Sequence, residues 1–364
     1  MALTCGIIGL PLVGKTTLYN LMTNSEAETS NFFSGKTEAN LGTAWVPDER
    51  IDFLSKLYKP KKTTYAQIEL IDVPGLVQGA SQGQGVGNQF LDTIRKVDAL
   101  VHVVRAFQSP DVPHVEESID PVRDWETVEM ELLFADLDLV EKRIERINTQ
   151  KKKAKESQAE LPILQKCKEA LENSIPISKL ALEPEELQML QNYNFFTMKP
   201  VIAVVNVDEE QFSSGQYPGK EELEKILSEK GILILEICAL MEMEINRLSE
   251  EDRELFLAEL GIKEPGINRL ARTIYNKLNL ISFFTSGEDE VKAWTIRMGT
   301  NAKKAAGKIH SDIERGFIRA EVVKYEDLHQ LGSMAKVKEK GLFRLEGKEY
   351  IVQDGDIINF RFNV

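Results

Sequence analysis

Leu3-Thr-Cys-Gly-Ile-Ile-Gly9-Leu-Pro-Leu-Val-Gly14-Lys15-Thr16-Thr17 decides the fold. Its first part is a short uncharged apolar run, which reads as a buried strand, and a helical stretch over Thr16–Leu21 follows. Between them stands Gly-x4-Gly-Lys-Thr. A strand, a turn bounded by glycines and a helix, in that order, form a cradle for phosphate. Gly9 and Gly14 let the backbone curl so that successive N–H groups face one way, and the helix adds its positive end. Phosphates are therefore expected along Leu12, Val13, Gly14, Lys15, Thr16 and Thr17. Lys15 is expected to reach the β- and γ-phosphates and the Thr16 hydroxyl to coordinate Mg2+.

Outward from this stretch the alternation continues. Ile68–Asp72, Ala99–Arg105, Pro200–Asn206 and Gly231–Cys238 read as strands, and Asn88–Lys96 and Lys220–Lys230 as helices. That alternation predicts an α/β domain with a parallel sheet. Asp72-Val-Pro-Gly75 ends one strand. An acid there can hold Mg2+ through water, and the Gly75 N–H can meet the γ-phosphate. The glycine-rich run from Leu76 to Gly87 reads as a switch loop; no strand precedes it at the offset a dinucleotide fingerprint needs. Leu76 stands where related switches carry the Gln that orients the attacking water, so another group must do so. His114, in Asp111-Val-Pro-His-Val after the strand Ala99–Arg105, is the candidate; the alternative is a loop histidine with no role. His102 lies mid-strand and reads as structural. Arg105 reads as a salt-bridged structural arginine rather than a charge stabiliser.

From Trp125 to Thr197 no strand is evident. Val128, Leu132, Leu133, Leu137, Val140, Ile144 and Ile147 recur at three- and four-residue spacing, the pattern of an amphipathic helix long enough for a hairpin. Pro162 marks its expected return, and the cluster Lys151–Lys155 falls near the tip. Strand–helix alternation then resumes, so the hairpin is an insertion. Residues 1–124 and 198–280 are expected to form the P-loop nucleotide-binding domain, and 125–197 a helical (coiled-coil) arm. Residues 281–364 are expected to form a small α+β module, with strands at Val291–Arg297, Phe317–Tyr325, Gly341–Leu345, Tyr350–Val352 and Ile357–Phe362 and a helix at Asn301–Ile309.

The base-reading motif departs from the guanine pattern Asn-Lys-x-Asp. The chain has Asn206-Val-Asp-Glu209. One extra methylene in Glu209 moves the carboxylate about 1.5 Å and breaks the pairing with guanine. Asn206 can pair with adenine N6/N7 and Val207 can lie against the base, so the residues favour ATP over GTP.

Composition sets limits on these readings. The chain has 364 residues, three scattered cysteines and formal charge −13. No apolar run of about 18 residues is present, so no membrane span is expected. The beginning has no leader pattern, and the sparse cysteines fit a reducing cytoplasm. An acidic total argues against a DNA-coating protein. The charge is uneven, however: residues 281–364 hold 14 Lys+Arg and 13 Asp+Glu, net +1, while the rest carries −14. Lys336, Lys338, Lys340, Arg344 and Lys348 cluster near Phe343 and Tyr350, a composition suited to RNA.

Taken together, the phosphate loop, Asp72-Val-Pro-Gly-Leu-Val-Gln-Gly-Ala-Ser, Gly85-Val-Gly-Asn-Gln-Phe-Leu91, His102-Val-Val-Arg105, Asn206-Val-Asp-Glu209 and the segment Leu345–Val364 resemble the YchF family of Obg-like ATPases over essentially the whole chain. The resemblance implies Mg2+-dependent ATP hydrolysis, association with the ribosome and a terminal TGS domain of β-grasp type at 281–364. It also implies a hydrolytic role for His114 and a base-side set of Asn206, Val207, Glu209, Cys238 and Ala239. Cys238-Ala-Leu240 stands where this fold usually has Ser-Ala-Lys, so only a backbone contact is retained. Leu12 replaces the family's usual Asn, which helps related switches hold a monovalent cation; K+ stimulation is therefore not expected. The switch reads Gly35-Lys-Thr-Glu-Ala-Asn40, which puts Lys36 in register with the metal-binding Thr and leaves Thr37 as the candidate second Mg2+ hydroxyl. The expectation is a slow cytoplasmic ATPase, monomeric, acting on the ribosome or its RNA and not on membranes or DNA. The alternatives are a nucleotide-dependent scaffold with incidental hydrolysis and a GTPase of the Obg class.

Overall fold

The computed structural model describes residues 3–25, 27, 39–73, 75, 87–149 and 155–363, with backbone alone for 87–90 and 155–157. Lys36, Thr37, Leu76 and the lysines at 151–153 lie outside the described residues. The chain begins with β1 (Thr4–Ile8), α1 (Lys15–Thr23), β2 (Asn40–Val46), α2 (Glu49–Tyr58), β3 (Lys62–Thr64) and β4 (Ala66–Asp72). It continues through α3 (Gly87–Arg95), β5 (Ala99–Arg105), α4 (Pro121–Thr149), α5 (Lys155–Glu172), α6 (Pro184–Leu190), β6 (Val201–Asn206), α7 (Glu209–Ser214), α8 (Lys220–Lys230), β7 (Leu233–Ile237), α9 (Ala239–Arg247), α10 (Glu250–Glu259) and α11 (Gly266–Lys277). The last stretch holds β8 (Leu280–Ser286), β9 (Glu290–Arg297), α12 (Ala302–Ile309), α13 (Ser311–Arg315), β10 (Phe317–Lys324), α14 (Tyr325–Leu331), α15 (Met334–Glu339), β11 (Arg344–Glu346) and β12 (Asp356–Phe362). Two compact units result, Met1–Gly42 with Glu69–Ile267 and Thr43–Ile68 with Asn268–Val364.

The first sheet has the order β2-β4-β1-β5-β6-β7. Its recorded pairings β1–β4, β1–β5, β5–β6 and β6–β7 are all parallel. Every residue of β5 is buried, so the two polar ones need partners. His102 stacks on Trp125 with ring centroids 4.3 Å apart, and burial, helped by the Lys15 charge, pushes its pKa down to about 3. It is a neutral structural ring, as its mid-strand place suggested. Because parallel strands end at one edge, the loops after β1, β4, β5, β6 and β7 open together, where α/β sheets bind ligands.

The arm is a hairpin of α4 and α5. Leu133, Val140 and Ile147 meet Ile163, Leu164, Cys167 and Leu171 in one apolar cluster. Pro162 does not mark the return, contrary to the sequence reading; it lies inside α5. The apolar stripe Ile163, Leu164, Cys167 and Leu171 is buried around it, and that packing outweighs the one backbone bond a proline removes.

The second sheet has the order β11-β10-β12-β8-β9-β3. β8 and β9 form an antiparallel hairpin, and β12 lies parallel to β8 through Ile357 and Phe284. Ala302, Ala305 and Ala306 let α12 sit close on Phe283, Ile296, Val322 and Ile358. The sequence reading began this module at residue 281, but residues 43–68 belong to it as well. β3 pairs with β9 from Lys62↔Glu290 to Thr64↔Lys292, and Arg50 joins Asp48 to Asp354. Three residues with so little apolar content give no strand signal of their own. The strand expected at Tyr350–Val352 is a single bridge between Asn301 and Ile351. Lys338 lies 4.9 Å from the Phe343 ring and Arg344 lies 5.4 Å from the Tyr350 ring. One face of each aromatic expected to stack on RNA is thus already taken by a cation. Among the described residues no helix is long and apolar enough to cross a membrane.

Candidate nucleotide site

The loop between β1 and α1 has the backbone its sequence demands. Gly14, at φ +97, caps α1, and a Cβ there would fall on Asn206 Nδ2. Gly9 lies against the Val103 carbonyl and Gly75 against the Pro11 backbone, equally without room for a side chain. Leu12, at φ +62, holds a left-handed conformation that favours Gly or Asn. No acid lies in the first turn of α1, so no residue of that turn offsets its positive end. Val13 is buried, and Thr17 is half-buried in that turn. Lys15 is 6 % exposed and donates to the Leu10 carbonyl at 2.6 Å. Burial lowers its pKa to about 8, against the pull of Asp72. An ammonium kept this dry gains strongly from an anion.

The Thr16 hydroxyl donates to Asp72 Oδ2 at 2.8 Å, and Asn40 Nδ2 lies 3.4 Å from the same oxygen. Asp72 Oδ1 is buried with no hydrogen-bond partner among the described residues. Burial raises the carboxyl pKa, while Thr16, Lys15 and Asn40 oppose the rise. A buried acceptor without a donor, beside a hydroxyl, fits a hard cation or its water. No cluster of three His, Cys, Asp or Glu side chains that could hold a metal occurs among the described residues. A metal at Thr16 and Asp72 would therefore share its coordination with phosphate and water.

On the base side the protein itself engages both expected residues. Asn206 donates from Nδ2 to the Val13 carbonyl at 3.0 Å and accepts the Ala239 N–H on Oδ1 at 3.1 Å. Its amide is engaged at both ends by the backbone, which leaves one N–H and one oxygen lone pair for a nucleotide. Val207 is 2 % exposed in a buried cluster with Trp125, Tyr217 and Leu223, so little of its side chain is open to a base. Cys238 is buried in that same cluster and Ala239 is buried beside it, with its N–H spent on Asn206. Glu209 begins α7 and is exposed, whereas Asp208 caps that helix.

Comparison with known proteins agrees with this geometry. The profile described as a 50S ribosome-binding GTPase matches residues 4–158, and the YchF-GTPase_C profile, described as a protein of unknown function, matches 280–363. The Ribosome-binding ATPase YchF of Haemophilus influenzae is 45 % identical over all of both chains, and that of Bacillus subtilis 46 %. The chain belongs to the YchF family. The solved structure of the Schizosaccharomyces pombe YchF GTPase superposes with TM-score 0.86 at 34 % identity, covering 99 % of this chain and 97 % of that one.

In this YchF-family chain the loop after β5 is tied down. Arg105, 1 % exposed, donates to the carbonyls of Phe107 (3.1 Å), Val112 (2.8 Å) and Pro113 (3.2 Å). It is structural, as expected, but held by carbonyls rather than by a carboxylate. His114 follows directly, with its side chain 4 % exposed and Nε2 2.8 Å from Asp124 Oδ2. Sequence reasoning missed Asn40 and Asp124. Asn40 ends the switch motif but was given no role, Asp124 lies in no motif, and only the folded chain brings them to Asp72 and His114.

Proposed function

We propose that this chain is an Mg2+-dependent ATPase that works as a nucleotide switch on the ribosome. The reading is carried by one observation: the dry, cationic loop headed by Lys15 lies beside the unpartnered Asp72 Oδ1 and the Thr16 hydroxyl. Backbone N–H groups from Leu12 to Thr17 hold the phosphates, and Lys15 balances the β- and γ-oxygens. Thr16 and Asp72 hold Mg2+, with Thr37 as a further hydroxyl. When bound, the metal neutralises charge that gathers on the phosphate oxygens during transfer. The Gly75 N–H meets the γ-phosphate, and with Leu76 in place of Gln the attacking water is oriented by His114. Adenine is preferred because Glu209 sits where guanine needs Asp. The names of the curated relatives support both the ATPase activity and the ribosome as partner.

The terminal unit, read as a TGS domain, meets ribosomal RNA through its lysines, and the protein works as a cytoplasmic monomer. The second reading is a GTPase, which the name of the fission-yeast relative supports. Ribosome co-sedimentation with a non-hydrolysable ATP analogue, with ADP and with the GTP analogue tests both. Retention with the ATP analogue alone is expected. Retention indifferent to nucleotide sinks the switch, and retention with the GTP analogue alone establishes the second reading.

A further inference from the structure

His114 is delivered by an anchored segment. Ala106 and Phe107 donate to the Asn206 carbonyl at 2.9 and 3.0 Å, and Asn206 in turn holds Val13 of the phosphate loop. Arg105 ties down Val112 and Pro113. The imidazole then meets two partners of opposite kind. Nε2 lies 2.8 Å from Asp124 Oδ2, and Nδ1 accepts the Glu116 N–H at 3.1 Å. A carboxylate only accepts and an amide N–H only donates, so the neutral ring carries its proton on Nε2 and its lone pair on Nδ1. Asp124 is itself fixed. Its side chain is 2 % exposed, and Oδ1 accepts from Arg123 Nε at 3.1 Å and Nη2 at 2.8 Å.

The two partners of the ring differ in permanence. The carboxylate is buried and doubly held. The Glu116 N–H belongs to an exposed turn whose next residue, Glu117, sits at φ +61, a conformation that costs an L residue free energy. The Nδ1 partner is therefore the less firmly held of the two.

We propose that Asp124 is a positioning residue for hydrolysis, holding His114 by Nε2–H so that Nδ1 accepts a hydrogen bond from the attacking water once the Glu116 N–H gives way. This rests on the reading of His114 given above. Asp124→Asn keeps the shape but offers one acceptor oxygen and a donating amide to both Arg123 and the ring.

Single-turnover cleavage at saturating ATP and Mg2+, on the full chain, tests it with wild type, Asp124→Asn, His114→Ala and the double variant. Asp124→Asn should slow cleavage about tenfold to a hundredfold. It should leave ATP affinity unchanged and add nothing to His114→Ala. The ring 15N shifts of His114 should report the Nε2–H tautomer in wild type and a mixture in Asp124→Asn. Equal slowing of wild type and His114→Ala by Asp124→Asn would make the carboxylate merely structural and overturn the proposal. So would an unchanged or faster rate, the latter meaning that Asp124 stows the ring. Wild-type cleavage by His114→Ala removes the reading of His114 itself and the proposal with it, an outcome distinct from the others. If Asp124→Asn does not fold, Asp124→Glu carries the same comparison, since it keeps the charge but displaces the ring.

Discussion

Asn206 donates its Nδ2–H to the Val13 carbonyl at 3.0 Å. With its Oδ1 on the Ala239 N–H, the side chain stitches the phosphate loop to the start of α9 from the end of β6. A truncation leaves two buried backbone groups unpartnered, each costing about 1–3 kcal/mol. Asn206→Ala should therefore weaken ATP and GTP alike, by about tenfold to a hundredfold. Titration with fluorescent analogues of both nucleotides checks this, and a loss confined to ATP would mean that Asn206 reads adenine after all.

The Lys15 ammonium is lowered from 10.5 to about 8 by burial. Between those values the unfolded chain holds a proton that the folded chain has released, so this group makes stability rise with pH through that window. Phosphate restores the charge. ATP binding near pH 9 should then take up about one proton, and binding at pH 7 almost none. Calorimetry in buffers of different ionisation enthalpy measures the uptake, and Lys15→Met should abolish it. Equal uptake in the variant would assign the proton to another group.

The strands and the phosphate loop were legible because local chemistry alone determines them. β5 was bounded correctly, and β1 and β6 to within one residue, because buried parallel strands read as near-continuous apolar runs, while β4, which alternates buried and open positions, was placed to within two. Other features depend on contacts remote in sequence. β3 exists only through its pairing with β9, over 220 residues away. Asp124 meets His114 only in the folded chain. Val207 looked available to a base because nothing local shows that it is buried in the cluster that holds Trp125 and Tyr217. Pro162 looked like a turn because a proline's local preference is visible, while the packing that overrides it is not.

Leu12 at φ +62 carries strain that the fold retains. A left-handed L residue costs about 1–2 kcal/mol, and Gly or Asn escapes most of it. Leu12→Gly and Leu12→Asn should both raise the unfolding midpoint of the first unit. Only Asn adds a side-chain oxygen beside the phosphates, so K+ stimulation of turnover should emerge in Leu12→Asn and not in Leu12→Gly. Turnover in matched K+ and Na+ buffers checks the difference. Stimulation already present in wild type would show that the cation site needs no side chain at position 12.

Asp136 is fully buried and gathers three parts of the chain. Oδ1 accepts from Arg95 at the end of α3 (2.8 Å) and from the Phe196 N–H (3.1 Å), and Oδ2 accepts from the Thr197 N–H (2.8 Å) and hydroxyl (3.0 Å). Arg95 also donates to the Ala135 carbonyl and lies 4.1 Å from the Phe196 ring. Helix α3, the outgoing helix of the arm and the returning segment are thus fastened at one carboxylate. Burial pushes its pKa up and these donors oppose the rise. Asp136→Ala strands the Arg95 charge and two N–H groups, so it should cost about 3–5 kcal/mol, the range for breaking a buried ion pair. Asp136→Asn keeps one acceptor and should cost about 1–3 kcal/mol. Amide hydrogen exchange in α4 and β5 resolves the two, with protection falling further in Ala than in Asn. Equal protection in wild type and both variants would show that the apolar packing of Trp125, and not this carboxylate, holds the arm to the sheet.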